Sequence, residues 1–212
     1  MKERELHPLP LRLWHWVNAA IVIGLIATGL YLRRHGIAAL TPHDPVLLWH
    51  KGLGLAMVAA ILFWWIYTLS SRNRRRQYAV GRSDLKSLFL QARFYLFSPF
   101  TGEKDPFTAS IDQKYNPLQK TAYGAVTLLV LPAQALTGLS FMDMEPLRNV
   151  LLSANLMGIL DAVHVLFTYG LVLYLIVHLY MATLGERVFS HTKAMIVGSE
   201  EIAVGSDEGR LT

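Results

Sequence analysis

Two histidines, His164 and His178, stand in a stretch with no charged side chain between Asp161 and Glu186. They are 14 residues apart. In a helix that spacing is about 21 Å along the axis and just under four turns, so both imidazoles lie on nearly one face. The stretch can cross a hydrocarbon core about 30 Å thick, which puts one histidine near each edge. Ionisable groups in such a helix are costly and generally hold a partner or a ligand. Two further histidines, His15 and His50, lie at the ends of other apolar runs. A neutral imidazole there can bind a metal, pass a proton, or fill a hydrogen-bonded core position.

The elements that must position them follow from composition. The chain has 212 residues, 53% hydrophobic and 17% charged, whereas about 25% charged is usual for a soluble domain. Four uncharged runs account for this: Leu13–Leu32, Gly52–Leu69, Ala122–Met142 and Ala162–Gly185. Each is long enough to span a bilayer. The expected fold class is an all-α membrane protein, a four-transmembrane-helix bundle with helices at about 13–32, 46–69, 118–142 and 160–185. One four-helix domain is expected over 1–195, with a frayed cytoplasmic tail at 196–212. No internal repeat or second domain is evident. The first run is too long for a signal peptide and leads to no small-residue cleavage site. There is no cysteine, which excludes disulfides and every cysteine-ligated or cysteine-attached redox centre on this chain.

Charge orients the bundle. With the N-terminus inside, inner segments carry sixteen of the twenty Lys and Arg, and outer segments only Arg33, Arg34, Lys51 and Arg148. The positive-inside bias then places both termini in the cytoplasm. The Arg72–Arg76 cluster borders a span, where it faces solvent or lipid headgroups, so membrane lipid is an expected partner and nucleic acid is not.

In chain order, Trp14 and Trp16 suit a membrane interface at the start of helix 1. Gly29 shares His15's face at the far end; Gly24 and Gly29 either admit something bulky or pack helices closely. His35 and His43 read as solvated residues of an outer loop, His35–Pro45. His50 opens helix 2, with Gly54 one turn on, and Trp64, Trp65 and Tyr67 read as an aromatic belt at its inner end. The segment Ser70–Lys120 carries a helix capped by Ser83, with an apolar stripe at Leu85, Leu88, Phe89, Ala92 and Leu96. This is an interfacial helix in the cytoplasmic loop between helices 2 and 3, ended by Pro99, Gly102 and Pro106. Asn116 and Gln119 share a face at the entry to helix 3, with Pro117 in its first turn. Helix 3 contains Gln134 and Pro132 but no histidine, and the loop Asp143–Asp161 is short and acidic.

Topology sorts the four histidines independently of spacing. His15 and His178 fall at the inner level, on helices 1 and 4. His50 and His164 fall at the outer level, on helices 2 and 4. Two imidazoles facing one another across a bundle are what bis-histidine haem ligation needs. Gly29 and Gly54 can make room for a macrocycle. Arg12 inside, and Arg33, Arg34 and Lys51 outside, can meet its propionates. Zinc would want more ligands at each level. A proton relay through histidines is a real alternative, though about 21 Å between levels leaves a wide gap.

The chain resembles the di-haem cytochrome b membrane subunits of respiratory formate dehydrogenases (the gamma subunit) and nickel–iron hydrogenases. The resemblance runs from Arg12 to about Met195. It rests on R-L-W-H-W-x-N-A with Thr28–Gly29, on His50-Lys51-Gly52, on K-Y-N-P-L-Q-K and on the 14-residue histidine pair of helix 4. It implies two haem b, one held by His15 and His178 and the other by His50 and His164. It also implies a quinone site at the entry to helix 3, with Asn116 and Gln119 as its polar pair and His178 at its border. Pro117 and Leu118 stand where relatives have small residues. The quinone would be menaquinone or ubiquinone, and a catalytic, iron–sulfur or multihaem electron-transfer subunit would dock at the outer face. The expected function is thus an electron-transfer subunit linking that partner to the quinone pool. The alternatives are a self-sufficient quinol oxidoreductase with a soluble acceptor, and a haem-free membrane anchor or transporter.

Overall fold

A computed structural model describes the chain except at residues 1, 6, 37–40, 42, 104–105, 108–114, 143–155, 184–188 and 203–212. The elements are β1 (Lys2–Glu5), α1 (Leu9–His35), α2 (Pro45–Leu69), α3 (Arg72–Tyr78), α4 (Arg82–Thr101), α5 (Pro117–Ser140), α6 (Met157–Ala182), α7 (Ser190–Val197) and β2 (Ser199–Ile202). Helices α1, α2, α5 and α6 are long and apolar enough to cross a membrane. This is an all-α membrane protein with one short two-stranded ribbon added. Residues 20–172 pack as one unit, and residues 1–19 with 173–212 as a second.

The helix ends follow local chemistry. In α1 the helix continues through Arg33, Arg34 and His35, whose cationic or polar side chains suit a helix C-terminus. His35 is therefore the last helical residue and not part of a loop; its ring stacks on Tyr31 at 4.1 Å. Asp44 caps α2, accepting from Val46 N–H at 2.8 Å and Leu47 N–H at 3.2 Å, with Pro45 in the first turn. Asn116 and Gln119 form a reciprocal cap for α5. Asn116 Oδ1 accepts from Gln119 N–H at 2.8 Å and Gln119 Oε1 from Asn116 N–H at 3.1 Å. Within α5 the turn widens at Val126–Val130. Pro132 follows directly; it has no N–H to give, and a widened turn absorbs that break.

The core of the 20–172 unit is small: Ile21 of α1, Met57 and Ile61 of α2, Leu131 of α5 and Leu171 of α6. Most other apolar side chains on these helices are exposed, among them Ile66, Leu128 and Leu166. Helices apolar all round present that surface to lipid. Trp64 departs from the expected belt: it is buried, packing edge-on against Tyr78 at 5.1 Å. The basic run after α2 is the helix α3, and Arg74 lies 4.2 Å over the Tyr67 ring while donating to Tyr67 O at 2.8 Å.

Helix α4 shows which way an interfacial helix can face. Leu85, Phe89, Leu96 and Phe100 form its exposed side, with Phe89 at 78% and Phe100 at 86%. Three of its polar residues turn inward, while Lys86 and Arg93 stay exposed. Gln91 is 2% exposed, Tyr95 Oη accepts from Asn116 Nδ2 at 2.7 Å, and Asp84 meets Lys120 Nζ at 3.4 Å. Water would reverse this arrangement; a lipid surface stabilises it. The cap is Gly81, not Ser83: Asp84 Oδ2 accepts from Gly81 N–H at 2.8 Å. The helix also runs past Pro99 to Thr101 and stops at Gly102, whose φ is 65°, the left-handed conformation glycine adopts freely.

In the second unit, β1 and β2 pair antiparallel, with Lys2 opposite Ile202 and Glu5 opposite Ser199. His7 N–H donates to Gly198 O at 3.1 Å. Trp16 Nε1 donates to Met195 O at 3.2 Å, and Arg12 donates to Ile196 O. Gly198 has φ 99°, and a Cβ there would lie 3.0 Å from Arg12 Cζ. The expected frayed tail is therefore paired over Ser199–Ile202, because backbone groups at both ends find each other. Residues 203–212 and the loop positions 143–155, Arg148 included, lie outside the described residues.

Candidate haem sites

In the second unit, α1 contributes His15 and α6 contributes His178. Their ring centroids are 6.1 Å apart and the planes are tilted by 45°. Tyr174, one turn before His178, stacks on it at 5.7 Å, and Trp16 stands edge-on to His15 at 5.1 Å. Among the described residues, His15 Nδ1, Asn18 Oδ1 and Arg12 Nε are buried without a hydrogen-bond partner. Buried polar atoms are rarely left so.

In the 20–172 unit, α2 contributes His50 and α6 contributes His164, with centroids 6.4 Å apart at 75°. Both line a cavity of about 490 Å³. Gly29, Gly54, Lys51, Arg33 and Gln134 line it too. Arg34 is exposed and is not part of the lining. Arg33 is paired with Asp161 at 3.2 Å, both partly exposed. Each ring is seated the same way. Thr28 Oγ1 lies 2.8 Å from His50 Nδ1, and Thr137 Oγ1 lies 2.9 Å from His164 Nδ1. A Cβ on Gly29 would stand 3.2 Å from His50 Cε1, and one on Gly138 would stand 3.3 Å from His164 Cε1.

The glycines thus divide by role. Gly29 and Gly138 clear the histidine rings, Gly54 meets open space within the cavity, and Gly24 packs helices, with Leu53 Cδ1 2.9 Å from its virtual Cβ. The sequence reading passed over Thr137 and Gly138. The available signal was the tripeptide Thr-Gly-Leu, present at both 28–30 and 137–139. From the sequence Gln134 is only a polar residue within helix 3. It donates to His164 Nε2 at 3.2 Å and to Thr168 Oγ1 at 2.9 Å, and its Oε1 is buried without a partner among the described residues.

These residues fit haem. A metal bound by two imidazole nitrogens at about 2 Å each sets ring centroids about 6 Å apart, which both pairs match. The donor set at each pair is two imidazoles, the bis-histidine case; Asp161, which also lines the larger cavity, is paired with Arg33. The cavity beside the His50–His164 pair and the orphaned polar atoms of both units suit a bulky polar-edged ligand.

The polar pair at the head of α5 belongs to the 20–172 unit, and His178 to the other. Asn116 is buried, and its amide is engaged on both sides, by Gln119 N–H and by Tyr95. Beside them Tyr78 and Tyr115 share a hydrogen bond of 3.3 Å. Burial, and then the neighbouring Tyr115, push the Tyr78 hydroxyl far up; burial pushes Tyr115 up as well. Both stay protonated at neutral pH.

A family profile described as "Prokaryotic cytochrome b561" matches residues 6–198. A protein of Escherichia coli (strain K12) named "Putative cytochrome YdhU" is 28% identical over 193 residues, covering 91% of this chain and 73% of that protein. No solved structure matches the chain.

Proposed function

Because the chain belongs to the prokaryotic cytochrome b561 family of b-type haem membrane proteins, we propose that it is a two-haem membrane subunit of a respiratory oxidoreductase, exchanging electrons between a partner at its outer face and the membrane quinone pool. The observation that carries this is the pair of histidine pairs, each drawn from two helices and each at metal-bridging separation. His15 and His178 hold one haem and His50 and His164 the other, with α6 serving both. Bound haem supplies reversible one-electron chemistry at iron.

The chain's own residues do the rest. Gly29, Gly54 and Gly138 keep space beside the histidines. Lys51 and Arg33 line the larger cavity, where they could meet propionates, Arg33 being paired with Asp161. Arg12 lies three residues before His15, with its guanidinium against Ile196 O and Gly198. The apolar helix walls keep water from both. The charge distribution puts the termini in the cytoplasm, which makes the His50–His164 level the partner's side. The quinone is assigned to Asn116 and Gln119 by the family resemblance. Capping leaves each amide with further hydrogen-bonding capacity, so a quinone carbonyl can be met there as well. The two protons of quinone turnover would be exchanged at the cytoplasmic side.

The test is a reduced-minus-oxidised spectrum of purified membranes, followed by reduction with a quinol instead of dithionite. A b-type band near about 560 nm is expected, and its absence sinks the reading. Asn116→Ala and Gln119→Ala should keep the dithionite spectrum while slowing quinol-driven reduction at least tenfold. Asn116→Ala also loses a helix cap worth about 1 kcal/mol. If either variant loses haem, or keeps full quinol activity, the quinone assignment fails. A partner that copurifies in mild detergent is expected; a pure chain that oxidises quinol with a soluble acceptor would overturn the subunit role.

A further inference from the structure

We propose that Thr28 and Thr137 are positioning residues: each hydroxyl accepts the Nδ1–H of one histidine, His50 or His164, and so commits that ring's Nε2 to the iron. This rests on the assignment of His50 and His164 as ligands of one haem.

The proton count fixes the direction of each bond. Thr28 Oγ1 lies 2.6 Å from Gly24 O and 3.2 Å from Leu25 O. Carbonyl oxygens only accept, so the single hydroxyl proton goes to them. What Thr28 then offers His50 Nδ1 at 2.8 Å is a lone pair, and Nδ1 must carry the hydrogen. Thr137 repeats the arrangement. Its hydroxyl lies 2.9 Å from Ala133 O and 3.0 Å from Gln134 O, with His164 Nδ1 at 2.9 Å.

A second line reaches the same tautomer for His164. Thr168 gives its own proton to His164 O at 3.0 Å, so it must accept from Gln134 Nε2 at 2.9 Å. That orients the Gln134 amide, and its Nε2–H₂ faces His164 Nε2 at 3.2 Å. The ring nitrogen that faces a donor is the unprotonated one, and its lone pair can bind metal once Gln134 yields it.

Threonines often bond back to their own helix carbonyls with no further role. Here both also meet the same ring atom of a histidine on another helix. Both are followed by a glycine whose Cβ would crowd Cε1 of that same ring. The hydroxyl sets the rotation of the ring and the glycine lets it seat. A hydrogen bond from the non-ligating nitrogen also strengthens the ligating one as a donor, which favours the ferric state.

Thr28→Val and Thr137→Val remove the acceptor at nearly constant shape, and Thr28→Ser and Thr137→Ser restore it. Two haems per chain should remain in all four variants. In an equilibrium redox titration, the valine variants should move the ferric–ferrous ratio of one haem about tenfold toward ferrous, an upward shift of about 59 mV for one electron. The other haem should be unmoved, and the serine variants should titrate as wild type. Wild-type titration of both valine variants at full haem content would overturn the proposal. If the valine variants lose haem, the serine variants decide: retention shows that the hydroxyl is required, and loss shows that only side-chain shape matters, which overturns it. Failure of the ligand assignment reads differently, as two haems retained in His50→Ala.

Discussion

On the proposed assignment, changing His50 or His164 to alanine should remove one of two haems and about half of the band at roughly 560 nm, leaving the other haem with its own titration. His15→Ala and His178→Ala should do the converse. The double variant His164→Ala/His178→Ala should lose all pigment, because α6 carries one histidine of each pair. The reason is geometric. Each ring is matched by a single partner ring, 6.4 Å away in one pair and 6.1 Å in the other. Asp161, which lines the His50–His164 cavity, is paired with Arg33 at 3.2 Å, and no group of three or more His, Asp or Glu side chains is gathered among the described residues. Haem content per chain and the reduced-minus-oxidised amplitude check this. Full amplitude in His164→Ala would remove the two-haem assignment. Loss of all pigment in each single variant would instead mean that the two sites assemble together.

Breaking the Asp84–Lys120 pair should be the most destabilising change outside the haem sites. Lys120 Nζ lies 3.4 Å from Asp84 Oδ1, and the side chains are 4% and 13% exposed. Lys120→Met strands the Asp84 carboxylate in that environment, at a cost of about 3–5 kcal/mol, typical when one member of a buried pair is removed. Asp84→Asn strands the ammonium similarly, although an asparagine oxygen can still accept from Gly81 N–H. The combined Asp84→Asn/Lys120→Met variant leaves no charge unpaired and should recover most of the loss. Thermal unfolding in detergent, followed by tryptophan fluorescence, reads the effect. At about 2–4 °C per kcal/mol for a chain of this size, each single change should lower Tm by roughly ten degrees. Losses that simply add in the double variant would show that the two groups are not coupled.

That pair also shows where reading the sequence stops. The apolar stripe of α4 is plain in Leu85, Phe89 and Leu96, and so is the conclusion that it lies at an interface. Periodicity alone does not say which side meets the protein. The structure turns Asp84 and Tyr95 inward because Lys120 and Asn116, at the head of α5, supply partners for them, and it buries Gln91 as well. Trp64 is a parallel case: an aromatic near a span end suits lipid headgroups, but Tyr78 of α3 covers it. A cap read from sequence can also miss by a turn residue, as at Gly81, where the side chain that completes the cap comes from Asp84.

What the sequence by itself determined is what depends on one chain segment at a time. Hydropathy run length identifies the four spans, because a bilayer core of about 30 Å demands them. The 14-residue spacing puts His164 and His178 on one face, because the α-helix has a fixed pitch. Pro117 announces the start of helix 3, because its fixed φ and missing N–H suit a first turn. The tertiary structure alone decided which side of each uniformly apolar helix faces its neighbours, since such helices carry no polar stripe to reveal it. It was that choice which brought Thr28 to His50 and Thr137 to His164, gave Gly138 a purpose, and paired Lys2–Glu5 with Ser199–Ile202. Each of these contacts joins residues far apart in the chain, and nothing in either partner's local sequence specifies the other.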